Sequence, residues 1–218
     1  MFFKRKEKIK AIKLYSVGSD LEGINRQLLI KNIVEIFDSL FLELPKDYVI
    51  HGPYGIRKGG SVEIKAFNRK LESKGHDKYY ALSGETENRL GFNVSFDCQL
   101  QGTEYAEFII WYKSSEFSVF FHDIVRKLNS SLSISCGFEI ELNDNVSPFS
   151  ETEIKKGLFG GTSVSISFEH LTWLKDYEHG GYRAIDKNAL LNSKQLKNAI
   201  SDLPNLKYDQ FEHLYFIH

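Results

Sequence analysis

A glycine-rich stretch at residues 52–61 has the composition of a loop that binds phosphate. It follows a short apolar segment and precedes residues with helical spacing, and backbone N–H groups at such a junction can bind an anion. The stretch departs from the P-loop pattern, because Ser61-Val62 stands where Lys-Ser or Lys-Thr is required. An ordinary loop at the start of a helix is therefore the alternative. The candidate phosphate-binding residues are Gly55, Arg57, Lys58 and Gly60.

A second candidate site consists of carboxylates on or beside two predicted strands. Glu139 and Glu141 lie two residues apart in an alternating segment, so they share one face of a strand. Asp144 follows that segment, and Asp97 occupies an outward position of another. Such a cluster would suit a basic protein partner, because complementary charge raises the rate of encounter. Solvated carboxylates without a binding role are the alternative.

The histidines do not have the spacing of a metal site or of an acid–base pair. His170 and His179 are nine residues apart, which places them on opposite sides of either a helix or a strand. The sequence contains no HExxH, CxxC or GxSxG motif. No metal ligand, cofactor or catalytic residue is therefore predicted. Enzymatic activity stays an open alternative, because hydrolases can place their carboxylates without a local motif.

The two cysteines are too few for a disulfide framework. Cys98 and Cys136 each lie on the apolar side of an alternating segment. This position predicts small, buried thiols that do not react.

The charge of the whole chain is nearly balanced, with a formal net charge of −1. A balanced chain has no overall field that would attract nucleic acid or a membrane surface. The basic residues at its start are not followed by an apolar stretch, so no signal peptide is predicted. No segment reaches the roughly 18 apolar residues that cross a bilayer. We expect a cytoplasmic protein without nucleic-acid or membrane partners.

Alternating segments at 90–100, 107–113 and 132–142 predict strands of an antiparallel sheet that has one solvated face. Helical spacing elsewhere predicts helices packed against this sheet. The fold class is therefore α+β, with a largely antiparallel sheet packed with helices in a single compact unit. We expect one domain covering 1–218, or two subdomains divided near 78–90.

Two capping-box patterns predict where helices begin. Ser19-x-x-Glu22 opens a helix that continues to about Leu42, and Ser150-x-x-Glu153 opens a short one. The predicted core residues are Leu29, Ile33, Phe37, Phe96, Cys98, Ile110, Phe121, Ile124, Ile134, Cys136, Phe138 and Ile166.

The middle of the chain resembles the immunity proteins of bacterial polymorphic-toxin and contact-dependent secretion systems. The resemblance lies in the strand Leu90-Gly91-Phe92-Asn93-Val94-Ser95-Phe96, the strand at 107–113 and the following helix at 117–128. It implies a small α+β protein that binds and neutralises a cognate toxin, and no functional residue transfers with it.

Two other functions stay open. The first is an enzyme that binds a phosphate-bearing or glycan substrate through the loop at 52–60. The second is a structural protein of a phage or secretion apparatus. A neighbouring toxin gene would favour the immunity function, whereas a metabolic operon would favour the enzyme.

Overall fold

The computed structural model describes residues 8–45, 47–51, 69, 81–88, 90–113, 121–143, 146–148, 152–156, 162–165, 172–183, 185 and 188–218. Helices pack on a large antiparallel sheet in one compact unit, which confirms the predicted α+β class. The division near 78–90 stays a prediction. Within these residues, no helix has the length and apolarity needed to cross a membrane.

Nine of the described strands form one sheet in the order β11-β12-β10-β6-β1-β5-β4-β3-β2, and β7-β8-β9 form a smaller one. All neighbouring strands are antiparallel. The strands are β1 (Lys8–Val17), β2 (Asp47–His51), β3 (Ala81–Glu85), β4 (Gly91–Leu100), β5 (Thr103–Lys113), β6 (Cys136–Asn143), β7 (Val146–Ser147), β8 (Thr152–Lys156), β9 (Thr162–Ser165), β10 (Ala189–Asn192), β11 (Tyr208–Phe211) and β12 (Leu214–Ile217).

Three α-helices lie in the described parts of the chain. They are α1 (Arg26–Ile36), α2 (Phe121–Leu132) and α3 (Ser193–Asp202). Two 3₁₀ segments, Gly18–Gly23 and Thr172–His179, and the π-helical turn Phe37–Phe41 accompany them.

The first helix begins later than the capping box at Ser19 predicts. Residues around Ser19 form the 3₁₀ segment, and Asn25 caps α1 by accepting a hydrogen bond from the N–H of Leu28 at 3.0 Å. Asn is as good a cap as Ser, so the local pattern did not decide between them. The chain leaves the helical region at Leu42, whose φ of 54° is left-handed.

The second capping box, at Ser150 to Glu153, is also wrong as a helix start. Residues 152–156 form strand β8, which pairs with β7 on one side and β9 on the other. Pairing on both sides supplies the backbone hydrogen bonds that the helix would have made.

All three predicted strand segments lie in the large sheet, but the third begins four residues late. Helix α2 continues to Leu132, and strand β6 starts only at Cys136. Ser133, between them, has a left-handed φ of 50°, which reverses the chain. Ile134 is nevertheless buried in the core, as expected.

One face of the sheet packs against α1 and α2, and we call it the first face. Its centre is a row of directly paired residues that runs through Phe92, Ile110 and Ile12. All three are fully buried with Ile33 of α1 and Ile124 of α2. This layer is the larger of the two hydrophobic cores among the described residues.

The opposite face, which we call the second face, is covered by α3 and by Thr172–His179. Tyr15 of β1 packs edge-on against Trp173 with ring centroids 5.1 Å apart, and stacks on Phe138 of β6 at 5.8 Å. Lys13 is fully buried on this face, a rare position for lysine. The expectation of one solvated face is therefore wrong for the central strands, because helices or 3₁₀ turns cover both faces.

Candidate functional site

Glu139 lies inside the protein, not on an exposed surface. Glu139 is only 3% exposed, and it lies on the first face of the sheet, where it pairs with Ile12 of β1. The Lys10 ammonium lies 2.9 Å from Oε1, and the side-chain amide of Asn188 donates to Oε2 at 2.5 Å. This carboxylate therefore joins β6 to β1 and to the segment before β10. The expectation that a partner contacts it is not supported by this burial.

Glu141 shares a face with Glu139, as the two-residue spacing predicts. Glu141 pairs with Lys10 of β1, and Glu139 pairs with Ile12, two residues further along the same strand. Its carboxylate forms an ion pair with Lys8. We call this pair of glutamates with Lys8 and Lys10 the lysine-paired end of the sheet. Charges there are balanced between neighbouring strands.

Asp97 is the most exposed of the predicted site residues that the structure describes, at 73% of its side chain. It lies in a bulge of β4 with a left-handed φ of 56°. A guanidinium nitrogen of Arg26 lies 3.6 Å from its carboxylate, and that guanidinium also stacks over the ring of Phe96 at 4.2 Å.

Asp97 and Glu141 lie at opposite ends of the sheet. Across the sheet, β4 and β6 are three strand spacings apart, or about 14 Å. Along the strand direction, the positions of Asp97 and Glu141 differ by seven residues of β1, or about 23 Å. Of the predicted acidic residues that the structure describes, Glu139 and Glu141 therefore lie together and Asp97 lies apart from them. Asp144 lies outside the described residues, as do Gly55, Arg57, Lys58 and Gly60 of the candidate phosphate loop.

Other carboxylates surround Asp97 where the sequence analysis did not place them. Strands β4 and β5 meet in a tight turn at Gln101 and Gly102, which both have positive φ, as a two-residue hairpin requires. The 3₁₀ segment Gly18–Gly23 lies beside this hairpin. We call this region the acidic hairpin end, and its acidic residues are Asp20, Glu22, Asp97, Glu104 and Glu107.

Two of these carboxylates accept hydrogen bonds within the fold, and the other three are exposed to solvent. Glu107 accepts a hydrogen bond from the Tyr15 hydroxyl at 2.6 Å, and Asp20 accepts one from the Ser135 hydroxyl at 2.5 Å. Glu22 and Glu104, like Asp97, are exposed. Asp97, Glu104 and Glu107 could have been suspected from the sequence, because residues 90–112 contain these three carboxylates and no lysine or arginine.

The negative charges of this region affect the pKa of the Cys98 thiol. Burial raises the pKa of its thiol to about 11, and Glu107 and Asp97 raise it further by opposing the thiolate charge. Cys98 is only partly buried, so it belongs to the rim and not to the core as predicted. Cys136 is buried as predicted, and burial raises the pKa of its thiol as well. Ile166, another predicted core residue, lies outside the described residues.

One histidine pair comes together that the spacing of the sequence did not reveal. The ring of His122 on α2 lies 5.0 Å from that of His218, whose Nε2 is 3.0 Å from a carboxylate oxygen of Asp209. Burial lowers the pKa of His122, with His218 and Arg126 adding to the effect. Within the described parts of the chain, no three His, Cys, Asp or Glu side chains are arranged to hold a metal ion.

The sequence matches no model of a protein family, and it matches none of the curated proteins. The function must therefore be inferred from the residues themselves. At the acidic hairpin end, exposed Asp97 and Glu104 lie on two strands joined by a tight turn, and exposed Glu22 lies in the adjoining 3₁₀ segment. A rigid surface of one charge is suited to binding a partner of the opposite charge.

Proposed function

We propose that this chain is an immunity-type protein, which binds a basic bacterial toxin through the acidic hairpin end and neutralises it. The observation that supports this most is the exposure of Glu22, Asp97 and Glu104 around one hairpin. The hairpin is anchored by a fully buried strand centre at Phe108 and Ile110, so little ordering is needed when a partner docks.

Charge complementarity explains how such a surface would serve a toxin inhibitor. An inhibitor must capture its toxin quickly, and steering between opposite charges can raise association rates by about 10- to 1,000-fold at low salt. The same charges disfavour acidic proteins, because like charges at an interface cost free energy.

The proposal is tested by affinity capture from the native host, followed by co-expression of the captured protein with this chain. A toxin should stop growth when expressed alone and should be harmless when the chain is present. Binding kinetics are then compared for the wild type and for the D97N/E104Q variant, in which Asn tolerates the left-handed φ of Asp97. Association should slow about three- to tenfold at low ionic strength, while dissociation changes little.

The matched control is E85Q/E178Q, which removes two exposed carboxylates away from the hairpin. It should associate at nearly the wild-type rate. Equal association rates for wild type and D97N/E104Q would exclude the hairpin end as the contact. A captured protein that is harmless by itself, or turnover of a small substrate by the purified chain, would reject the immunity function.

A further inference from the structure

An open depression of about 540 Å³ lies between the last turn of α3 and the loop that follows Thr172–His179. This volume is within the range of about 300–1,000 Å³ that is usual for ligand sites. Three of its residues are spaced at i, i+3 and i+4 on α3, so they form one face of the helix. The lining residues are Gly180, Gly181, Tyr182, Asn198, Ser201 and Asp202.

The two glycines let the loop approach the helix closely. Gly180 has a left-handed φ of 84°, and a Cβ there would lie 2.8 Å from the carbonyl oxygen of Lys194. A Cβ on Gly181 would lie 2.6 Å from the carbonyl oxygen of Trp173. Side chains at either position would therefore push the loop away and change the depression.

Three hydrogen-bond donors around the depression are used within the protein: the N–H groups of Gly180 and Gly181 and the side-chain amide of Asn198. The N–H groups of Gly180 and Gly181 donate to the backbone carbonyls of Tyr177 and Asp176 at 2.9 and 2.7 Å. The side-chain amide of Asn198 donates to the carbonyls of His179 and Gly180, both at 3.1 Å. Because carbonyls only accept, the nitrogen of Asn198 must face them and its oxygen stays available.

The acidic group of the depression is also arranged as an acceptor. The Tyr182 hydroxyl donates to one carboxylate oxygen of Asp202 at 2.6 Å, which leaves the other oxygen for a ligand. Burial, with the carboxylate of Asp202, raises the pKa of Tyr182 to about 12, so the phenol keeps its proton at neutral pH. The aromatic ring of Tyr182 remains a lining surface.

The position at a helix end makes this acceptor set more negative. Backbone carbonyls in the last turn of a helix carry the negative end of its dipole, and cations are favoured there. The last turn of α3 contains Asp202 and no basic residue. The depression thus combines a carboxylate, an amide oxygen and an aromatic ring beside the negative end of a helix.

We propose that this depression binds a guanidinium group, supplied by an arginine of a protein partner. A guanidinium has five N–H donors in a plane, so it can reach several separated acceptors and stack on Tyr182 at once. An ammonium is a compact charge that matches such a spread set less well. Only the source of the arginine depends on the proposed immunity function, since the acceptor set is a property of this chain.

The test uses the ¹⁵N-labelled full chain and the probe Nα-acetyl-L-arginine N-methylamide, followed by NMR. The backbone amides of Gly180 and Gly181 should shift in a saturable way, with a Kd of about 1–10 mM. The corresponding lysine derivative should bind about threefold more weakly. Asp202→Asn keeps an acceptor for Tyr182 but removes the charge, and it should weaken binding about tenfold.

Matched variants separate the ring, the charge and the fold. Tyr182→Phe keeps the aromatic surface and should bind within about twofold of wild type, whereas Tyr182→Ala should lose about three- to tenfold. Glu178→Gln removes an exposed carboxylate of the preceding 3₁₀ segment that does not line the depression, and it should bind as wild type does. The spectrum of each variant away from the loop and α3 shows whether the fold is kept.

Shifts that do not saturate by about 50 mM probe would overturn the proposal. So would an Asp202→Asn variant that titrates like wild type, or a lysine derivative that binds equally well. Because the probe needs no partner, failure here leaves the growth and capture experiment unaffected. Probe binding without any captured toxin would instead reject the immunity function and keep the guanidinium site.

Discussion

The two ends of the central strands carry carboxylates in different surroundings. At the lysine-paired end, Glu139 and Glu141 face Lys10 and Lys8 of the neighbouring strand. At the acidic hairpin end, Arg26 lies near Asp97, but only at 3.6 Å and at a mostly exposed carboxylate. Carboxylates of the first kind form ion pairs between strands, whereas three of those at the acidic hairpin end, Glu22, Asp97 and Glu104, are exposed. The cross-strand neighbour, not the carboxylate itself, decides which role it has.

The largest effect expected from this difference is at Lys10. Lys10→Met leaves the buried carboxylate of Glu139 without its cation, which should lower the free energy of unfolding by about 2–3 kcal/mol. Urea denaturation measures this change. Lys8→Met breaks the more exposed pair with Glu141, and should cost less than about 1 kcal/mol.

A double variant keeps the Lys10 prediction falsifiable. Replacing both partners, as K10M/E139L, removes the buried charge and should recover most of the lost stability. If the double variant is as unstable as Lys10→Met, the loss came from packing of the lysine stem and not from the charge.

A smaller effect is expected at the bulge of the acidic hairpin end. Asp97→Ala must place a Cβ-bearing residue without a polar side chain at a φ of 56°, which should cost about 1 kcal/mol. Asp97→Asn and Asp97→Gly tolerate this backbone and should stay within about 0.5 kcal/mol of wild type. Thermal unfolding of the three variants compares them. Equal stability of all three would show that the bulge relaxes at no cost.

The smallest effect concerns the thiol of Cys98. Neutralising the nearby carboxylate in Asp97→Asn should lower the pKa of this thiol, because a negative neighbour disfavours the thiolate. Labelling by a maleimide at pH 8.5 should then be about two- to threefold faster. Cys136 is an internal control, since its burial should keep it unlabelled in both proteins. An unchanged rate would mean that Asp97 does not influence the thiol.

The sequence predicted which residues share a face within one strand, but not which faces of different strands coincide. Phe92 of β4 and Glu139 of β6 lie in the same row across the first face, whereas Phe138 of β6 points to the second. When both faces of a sheet are covered, the alternation within one strand does not predict which residues of the neighbouring strand lie on the same face. For this reason the polar residues of β4 and β6 were expected on one face of the sheet, but they lie on two different faces.

The candidate site was predictable only in part. Asp97 was found because it occupies an outward position of an alternating segment, but Glu22 and Glu104 come from a 3₁₀ segment and a strand end that have no alternating pattern. The depression at Asp202 depends on how a loop packs against a helix, which is decided by long-range contacts such as that of Gln195 with Gly181. Local periodicity does not contain such contacts.

The position of β1 between β5 and β6 has a consequence for how the protein folds. Ile12 pairs with Ile110 and Glu139, which follow it by about 100 and about 130 residues. β1 is made before either of its neighbours, so both of its edges are paired only after β5 and β6 have been made. Contacts of such high sequence separation slow folding, and an unpaired apolar strand is prone to aggregate meanwhile. Weak induction at low temperature should thus raise the yield of folded protein, because fewer unpaired strands are present at once and hydrophobic association weakens on cooling.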